Sequence, residues 1–266
     1  IVRGDRVMSL NGRPASDAIA ANDFSALTPS TVGELLTVVL RNAVGVDRTL
    51  QLSAAVFALT PVQSWRIVQS PSSINSRLMG YVFVKDMISQ VEPGLSNVMA
   101  SFRNAGIQEL VIDLRYNGGG LVSMGGNVAS YASGSPASGL VFASLRYNDR
   151  QSTSNQDFVF TNPGLWAGFS RVYLLTGPRT CSASEQVING LLGLSNLAGA
   201  RVDVVTVGDT TCGKPVGFVP RDDGWGTTYS VVNFESVNRR DQGRYFEGLL
   251  ATCPVAEDFS RPFGDL

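Results

Sequence analysis

Three short apolar runs limit this chain's fold more than anything else in it: "ELVIDL" (109–114), "RVYLLTG" (171–177) and "RVDVVTVG" (201–208). Each is a strand-length hydrophobic stretch of the kind that a sheet buries on both faces. Helical spacing fills the intervals between them. "EPGLSNVMASFRNAG" sets Leu95, Val98, Met99 and Phe102 on one face, with Gly106 as a stop. Leu121, Met124 and Val128 share a side of the next stretch, and Val187, Ile188, Leu191 and Leu192 form a stripe after "TCSASE". Strands alternating with helices predict an α/β fold, a mostly parallel sheet flanked by helices. "TTYSVVNF" (227–234) reads as a further strand.

Residues 1–56 have a different character. "RVMSLNG" alternates and turns at Asn11-Gly12, and "LLTVVLRNAVGVDRTLQLSA" reads as two strands joined around Val44–Val46. The Pro/Ser-rich passage "LTPVQSWRIVQSPSS" marks a boundary. The expected division is therefore a β-rich part at 1–56 and an α/β part at 57–266. Ile1 starts inside a strand-like pattern, which reads as a mature or trimmed chain.

In a parallel sheet, reactive groups gather on the loops beyond the carboxyl ends of the strands. Three such loops leave the three apolar runs, at 115–120, 176–182 and 208–214. The third, "GDTTCGKPVG", carries the G-x-x-x-x-G-K spacing of a phosphate-binding loop. That loop needs Ser or Thr after the lysine and a helix beyond it. Pro215 stands there instead, and "VGFVP" has no helical period, so a nucleotide site is not expected.

Composition narrows the chemistry further. The 266 residues include no His, which removes Ser-His-Asp and Cys-His catalysis and most catalytic zinc sites. Net charge is −1, so nothing electrostatic favours a nucleic-acid partner, and no apolar run is long enough to span a membrane. Of 21 basic residues only Lys85 and Lys214 are lysines. Arginine holds its proton in every protein setting, whereas a desolvated lysine can give it up. Lys214, among Cys212, Gly213, Pro215 and Val216, has no charged neighbour in sequence; Lys85 has Asp86 beside it and reads as a surface pair.

Without His, a nucleophilic serine needs another base, and lysine is the common alternative. Ser182 lies where a strand gives way to a helix, whose free amides suit an oxyanion. Ser182-Ala183-Ser184-Glu185 is equally a capping box, and both readings stand. The glycines of "LRYNGGG" make a tight turn or bring amides to a developing negative charge. Cys181, Cys212 and Cys253 contain no C-x-x-C, so a metal cluster is not expected. One disulfide with one free thiol, or three reduced thiols, both fit.

Taken together and in this order, "ELVIDLRYNGGG", "TCSASE" and "GDTTCGKPVG" closely resemble the tail-specific, or C-terminal processing, family of Ser–Lys peptidases. "VRGDRVMSLNGRPASD" resembles the middle of the PDZ domain that such enzymes carry ahead of the catalytic core. The resemblance implies a ClpP/crotonase-like core at 57–266 behind a truncated PDZ-like domain at 1–56. It implies Ser182 as nucleophile, Lys214 as general base, Glu185 as an acidic residue beside the dyad, and the amides of Gly119 and Ala183 as oxyanion hole. The implied reaction is peptide-bond hydrolysis through an acyl-enzyme, with no metal or other cofactor. The implied partners are unstructured, largely apolar polypeptide tails, and the implied setting is the bacterial cell envelope, in the periplasm. The chain departs from the family in having Phe218 where many members have Gln, a longer connection from Ser182 to Lys214, and a PDZ part that lacks its carboxylate-binding loop. A Cys181–Cys212 bridge would tie the two catalytic loops; a Cys212–Cys253 bridge stands beside it as an alternative.

Overall fold

The computed structural model describes residues 1–69, 77–165, 168–195, 197, 199 and 202–265. It divides the chain into two units, Ile1–Leu59 with Glu257–Leu266, and Thr60–Ala256. Residues 257–266, read from the sequence with the α/β part, fall in the first unit by this division.

In the first unit, β1 (Arg6–Leu10), β2 (Arg13–Pro14), β3 (Leu35–Arg41) and β4 (Asp47–Ser53) form an antiparallel sheet in the order β2-β1-β3-β4, with α1 (Ala15–Ala20) following β2. Asn11 and Gly12 turn the chain with φ of 49° and 80°, and the Asn11 side chain accepts the Thr37 N–H at 2.8 Å. Arg41 and Asp47 close the β3–β4 hairpin as a two-pronged ion pair. The buried core is small: Leu10, Val38 and Leu40, with Leu36 and Leu50 packed against them. The terminal segment is held by Arg3, which donates to the Asp258 carbonyl at 2.6 Å and lies over the rings of Phe259 and Phe263.

The second unit begins with β5 (Val62–Gln69), β6 (Leu78–Val84), α2 (Val91–Asn104), β7 (Glu109–Asp113), α3 (Val122–Ser133), β8 (Val141–Tyr147) and β9 (Gln156–Val159). It continues with β10 (Arg171–Thr176), α4 (Ala183–Leu192), β11 (Asp203–Gly208), β12 (Val216–Gly217), β13 (Arg221–Asp222), β14 (Thr228–Tyr229), β15 (Phe234–Val237) and β16 (Cys253–Pro254). The main sheet runs β16-β11-β10-β7-β6-β5. Every pairing in it is parallel except that of edge strand β5 with β6. All five residues of β7 are buried, as a central parallel strand requires. The helical stripes supply the core: Leu95, Val98, Met99 and Phe102 of α2 and Val187, Ile188 and Leu191 of α4 pack with Leu110, Ile112, Val172 and Leu174. Each such side chain contributes about 1.5–3 kcal/mol of transfer free energy when fully buried. A second, antiparallel sheet runs β12-β15-β8-β9.

Two local readings differ from the sequence expectation. The passage read as a boundary contains β5, whose alternating burial carries the strand signal that its Pro and Ser neighbours obscure; residues 70–76 lie outside the described ones. "TTYSVVNF" is not one strand. Thr228–Tyr229 pairs only with Arg221–Asp222 across a hairpin, Val231 and Val232 are exposed, and regular pairing resumes at Phe234. Exposed valines there have no second layer to cover them, so β-propensity alone does not extend the ladder. The connection between α4 and β11 includes 196, 198, 200 and 201, outside the described residues. No helix among the described residues is long and apolar enough to cross a membrane.

Candidate active site

Because β7, β10 and β11 are parallel neighbours, the loops leaving them emerge side by side at one end of the sheet. Buried polar groups stitch the first two together. Asn117, fully buried, donates its Nδ2 to the Val84 carbonyl at 3.0 Å and accepts the Gly119 N–H at 2.9 Å on Oδ1. Its own carbonyl accepts the Cys181 N–H and the Ser184 hydroxyl, both at 3.1 Å. Thr180 adds a bond from its hydroxyl to the Leu114 carbonyl at 2.8 Å.

Ser182 stands at the turn into α4 with φ 57° and ψ −119°. A non-glycine residue at positive φ costs on the order of 1–3 kcal/mol, and such strain collects at functional sites. Gly119 lies directly against this turn. A Cβ added there would come within 2.7 Å of the Ser182 Cβ and 3.0 Å of the Ala183 nitrogen, and its φ of +100° suits glycine alone. The Gly119 N–H is engaged by Asn117, so an oxyanion would have to share that donor or displace it. Ala183 is the first residue of α4, and its N–H has no acceptor within the helix.

The third loop is fastened to the second through one carboxylate. Glu185 is fully buried; its Oε2 accepts the N–H groups of Ser182 at 2.9 Å and Lys214 at 2.8 Å. Its Oε1 accepts the Gly213 N–H at 2.8 Å and the Thr211 hydroxyl at 2.6 Å. A buried charge is costly unless its lone pairs are filled, and here donors fill both oxygens. One oxygen therefore holds the backbones of the serine and the lysine together. The Cys212 N–H donates to the Thr180 carbonyl at 3.0 Å, and a Cys181–Cys212 disulfide, Cα–Cα 5.2 Å, adds a covalent tie. Of the two pairings left open by the sequence, this is the one formed; Cys253 is free and exposed. Burial, and next the Glu185 charge, push the Tyr245 phenol well up, and its hydroxyl has no partner among the described residues.

The structure thus gathers Ser182, Ala183, Glu185, Gly119 and Lys214 in one place. It gives Glu185 contacts with the backbones of the dyad candidates. Among the described residues the Lys214 amine makes no hydrogen bond or ion pair; it lies 4.9 Å from the centre of the Phe218 ring. Lys85 forms the surface pair with Asp86, at 3.3 Å. Asn117, Thr180 and Thr211 escaped the sequence reading. An Asn two residues ahead of a glycine was the one available signal, since side-chain-to-backbone turns favour it.

Residues 78–243 match the sequence profile of peptidase family S41. Among solved structures, a Bacteroides fragilis protein described as an S41 protease is 24% identical, with a TM-score of 0.75, and aligns over 100% of this chain and 70% of its own. The photosystem II D1 C-terminal processing protease is 20% identical, with a TM-score of 0.62, over 95% of this chain and 63% of its own. Mature CPAF is 14% identical, with a TM-score of 0.55, over 98% of this chain and 73% of its own. At these identities the likeness establishes the fold. No curated protein matches the chain. The family match covers more than half of the sequence and contains the whole candidate site, so the chain belongs to peptidase family S41.

Proposed function

We propose that the chain is a serine endopeptidase in which Ser182 is the nucleophile and Lys214 its general base. The observation that carries this reading is the shared Glu185 oxygen, which holds the Ser182 and Lys214 backbones on one acceptor in a chain without histidine. In the proposed cycle an uncharged Lys214 amine takes the Ser182 hydroxyl proton as the oxygen attacks a peptide carbonyl. The Ala183 N–H at the start of α4, joined by Gly119, receives the developing oxyanion. The Lys214 ammonium then returns a proton to the leaving amine, and water hydrolyses the acyl-enzyme. Ser182 and Glu185 form a capping box at the start of α4, and Glu185 holds both partners through their backbones.

The substrates we propose are unstructured, apolar polypeptide tails, and the setting is the bacterial cell envelope. The first unit is then a PDZ-like module. The test is cleavage of a fluorescently labelled unfolded protein together with labelling by a fluorophosphonate. Ser182→Ala, Lys214→Ala and Lys214→Arg each abolish cleavage while leaving the circular dichroism spectrum unchanged. Substantial cleavage by Lys214→Arg refutes the base assignment, because arginine cannot take the proton. A second reading, an inert binding protein on the same fold, draws on the amine resting over Phe218 with no hydrogen bond to Ser182. Covalent labelling of intact protein at Ser182 excludes it.

A further inference from the structure

We propose that Phe218 is a positioning residue for Lys214, its ring face holding the amine that serves Ser182; this rests on the Ser–Lys reading above. The lysine side chain is long, and its many rotamers must be restricted before it can act on one proton. A carboxylate would restrict it, but would also pin the proton on the amine. In a chain with 22 acidic residues, none among the described ones pairs with Lys214. Glu185, whose oxygens already take the backbone N–H groups of Gly213 and Lys214, is occupied with the main chain. What meets the amine is the Phe218 ring, at 4.9 Å and within the range of a cation–π contact. A ring face also favours the ammonium, but more weakly than a carboxylate would, so it restricts the amine with less hold on its proton.

The backbone under Phe218 is anchored for this task. β12 precedes it immediately, and Gly217 pairs with Phe234 of β15. A Cβ on Gly217 would strike the far end of the Phe234 ring at 2.2 Å, so that ring lies directly against the strand. The Ser236 N–H donates to the Pro215 carbonyl at 2.8 Å and the Asn233 N–H to the Gly217 carbonyl at 3.0 Å. Lys214 and Phe218 thus flank a short segment bonded to the second sheet, and the amine and ring stay in register. Phe218 is itself 37% exposed, so its ring is not a core element and can be replaced without collapse.

The test compares Phe218→Leu, Phe218→Tyr and Phe218→Trp in the full chain. Two rates are read: fluorophosphonate labelling of Ser182, and cleavage of a labelled unfolded protein resolved into kcat and KM. Phe218→Leu slows labelling and kcat by about 2- to 30-fold with KM unchanged, the span of cation–π strengths. Tyr and Trp keep the ring and restore the rate. A wild-type rate in Phe218→Leu overturns the proposal, as does equal loss in all three variants, which would mark a packing role. A faster Phe218→Leu also overturns it, since the ring would then be holding the amine away from Ser182. Ser182→Ala and Lys214→Ala run alongside separate the two levels. If both are inactive while Phe218→Leu is normal, only the Phe218 role falls; if Lys214→Ala keeps its activity, the base assignment falls and takes this role with it.

Discussion

Glu185→Gln is the substitution that asks most of this site. The change is nearly isosteric, so it removes one charge and turns one acceptor into a donor without opening a cavity. The amide has two orientations. With its NH2 in the Oε2 position it faces the N–H groups of both Ser182 and Lys214, and both lose their acceptor. With the NH2 in the Oε1 position those two bonds survive. Thr211 can then rotate its hydroxyl to accept, although it already accepts the Leu249 N–H at 2.7 Å. The Gly213 N–H is left facing an N–H in a buried site. The second orientation is therefore the better one, and it still orphans one backbone donor.

An unsatisfied buried donor costs about 1–3 kcal/mol, and two surviving bonds fall from charge-assisted to neutral strength. The expected loss is about 2–4 kcal/mol, a large part of a typical domain's 5–15 kcal/mol. For a unit of this size that lowers Tm by about 4–16 °C. The disulfide still ties the loops in the oxidised variant, so fluorophosphonate labelling of Ser182 slows but persists. Reducing the disulfide in Glu185→Gln should then cost more labelling than reducing it in the wild type, since two ties between the same loops are coupled. An unchanged Tm with wild-type labelling, oxidised and reduced, would show that the carboxylate is not what holds the loops.

Four further outcomes follow from single contacts. In native protein a thiol alkylator modifies Cys253 alone, and reduction exposes two more sites; mass spectrometry reads this directly. The double variant Cys181→Ser/Cys212→Ser loses about 3–4 kcal/mol in urea unfolding, from the 31-residue separation that the bridge spans. Gly119→Ala places a methyl 2.7 Å from the Ser182 Cβ at a φ of +100°, so it costs on the order of 1–3 kcal/mol. Its Ser182 labelling should drop at least about tenfold; labelling equal to the wild type would remove Gly119 from the site. Tyr245→Phe deletes a buried hydroxyl that has no partner among the described residues, so it leaves stability at neutral pH unchanged or raised. Burial, and next the Glu185 charge, raise the Tyr245 phenol in the fold, so its contribution is present below pH 10 and is lost as the unfolded chain ionises above it. Alkaline unfolding from pH 9 to 11 should accordingly be shallower in Tyr245→Phe.

The layout of the core was legible because burial writes itself into local pattern. Leu110–Ile112 at the centre of β7 are apolar since both faces are covered, and the stripes on α2 and α4 have the helical period. That parallel order brought three loops to one end of the sheet, where Ser182, Gly119 and Lys214 were expected and are found together. The bonds that join those loops were not legible. Glu185 bonds Gly213 and Lys214 across more than two dozen residues, and nothing in the spacing of "TCSASEQ" separates that from an ordinary cap. The pairing of Cys181 was open for the same reason: the distance that decides it is tertiary. "TTYSVVNF" misled because β-branched residues favour a strand anywhere, while pairing depends on a neighbouring strand, which residues 230–232 do not have among the described residues.

The ties and the strain belong to one account. A serine at φ 57° relaxes into the helix unless something outside it forbids the move. Three constraints meet at that turn, two from the 115–120 loop and one from α4: Gly119 lies directly against the Ser182 Cβ, Asn117 fixes the Cys181 N–H, and Glu185 fixes the Ser182 N–H. Glu185 draws its other donors from the lysine loop, so whatever loosens that loop also loosens the serine. Strain at the nucleophile and placement of the base are thereby a single cooperative property. Substitutions at Glu185 and at the Cys181–Cys212 bridge should therefore couple, whereas substitutions at Phe218, whose ring meets the amine, should add to Glu185→Gln without coupling in stability. A double-mutant cycle between Phe218→Leu and Glu185→Gln that shows a stability coupling above about 0.5 kcal/mol would break that separation between holding the loops and aiming the amine.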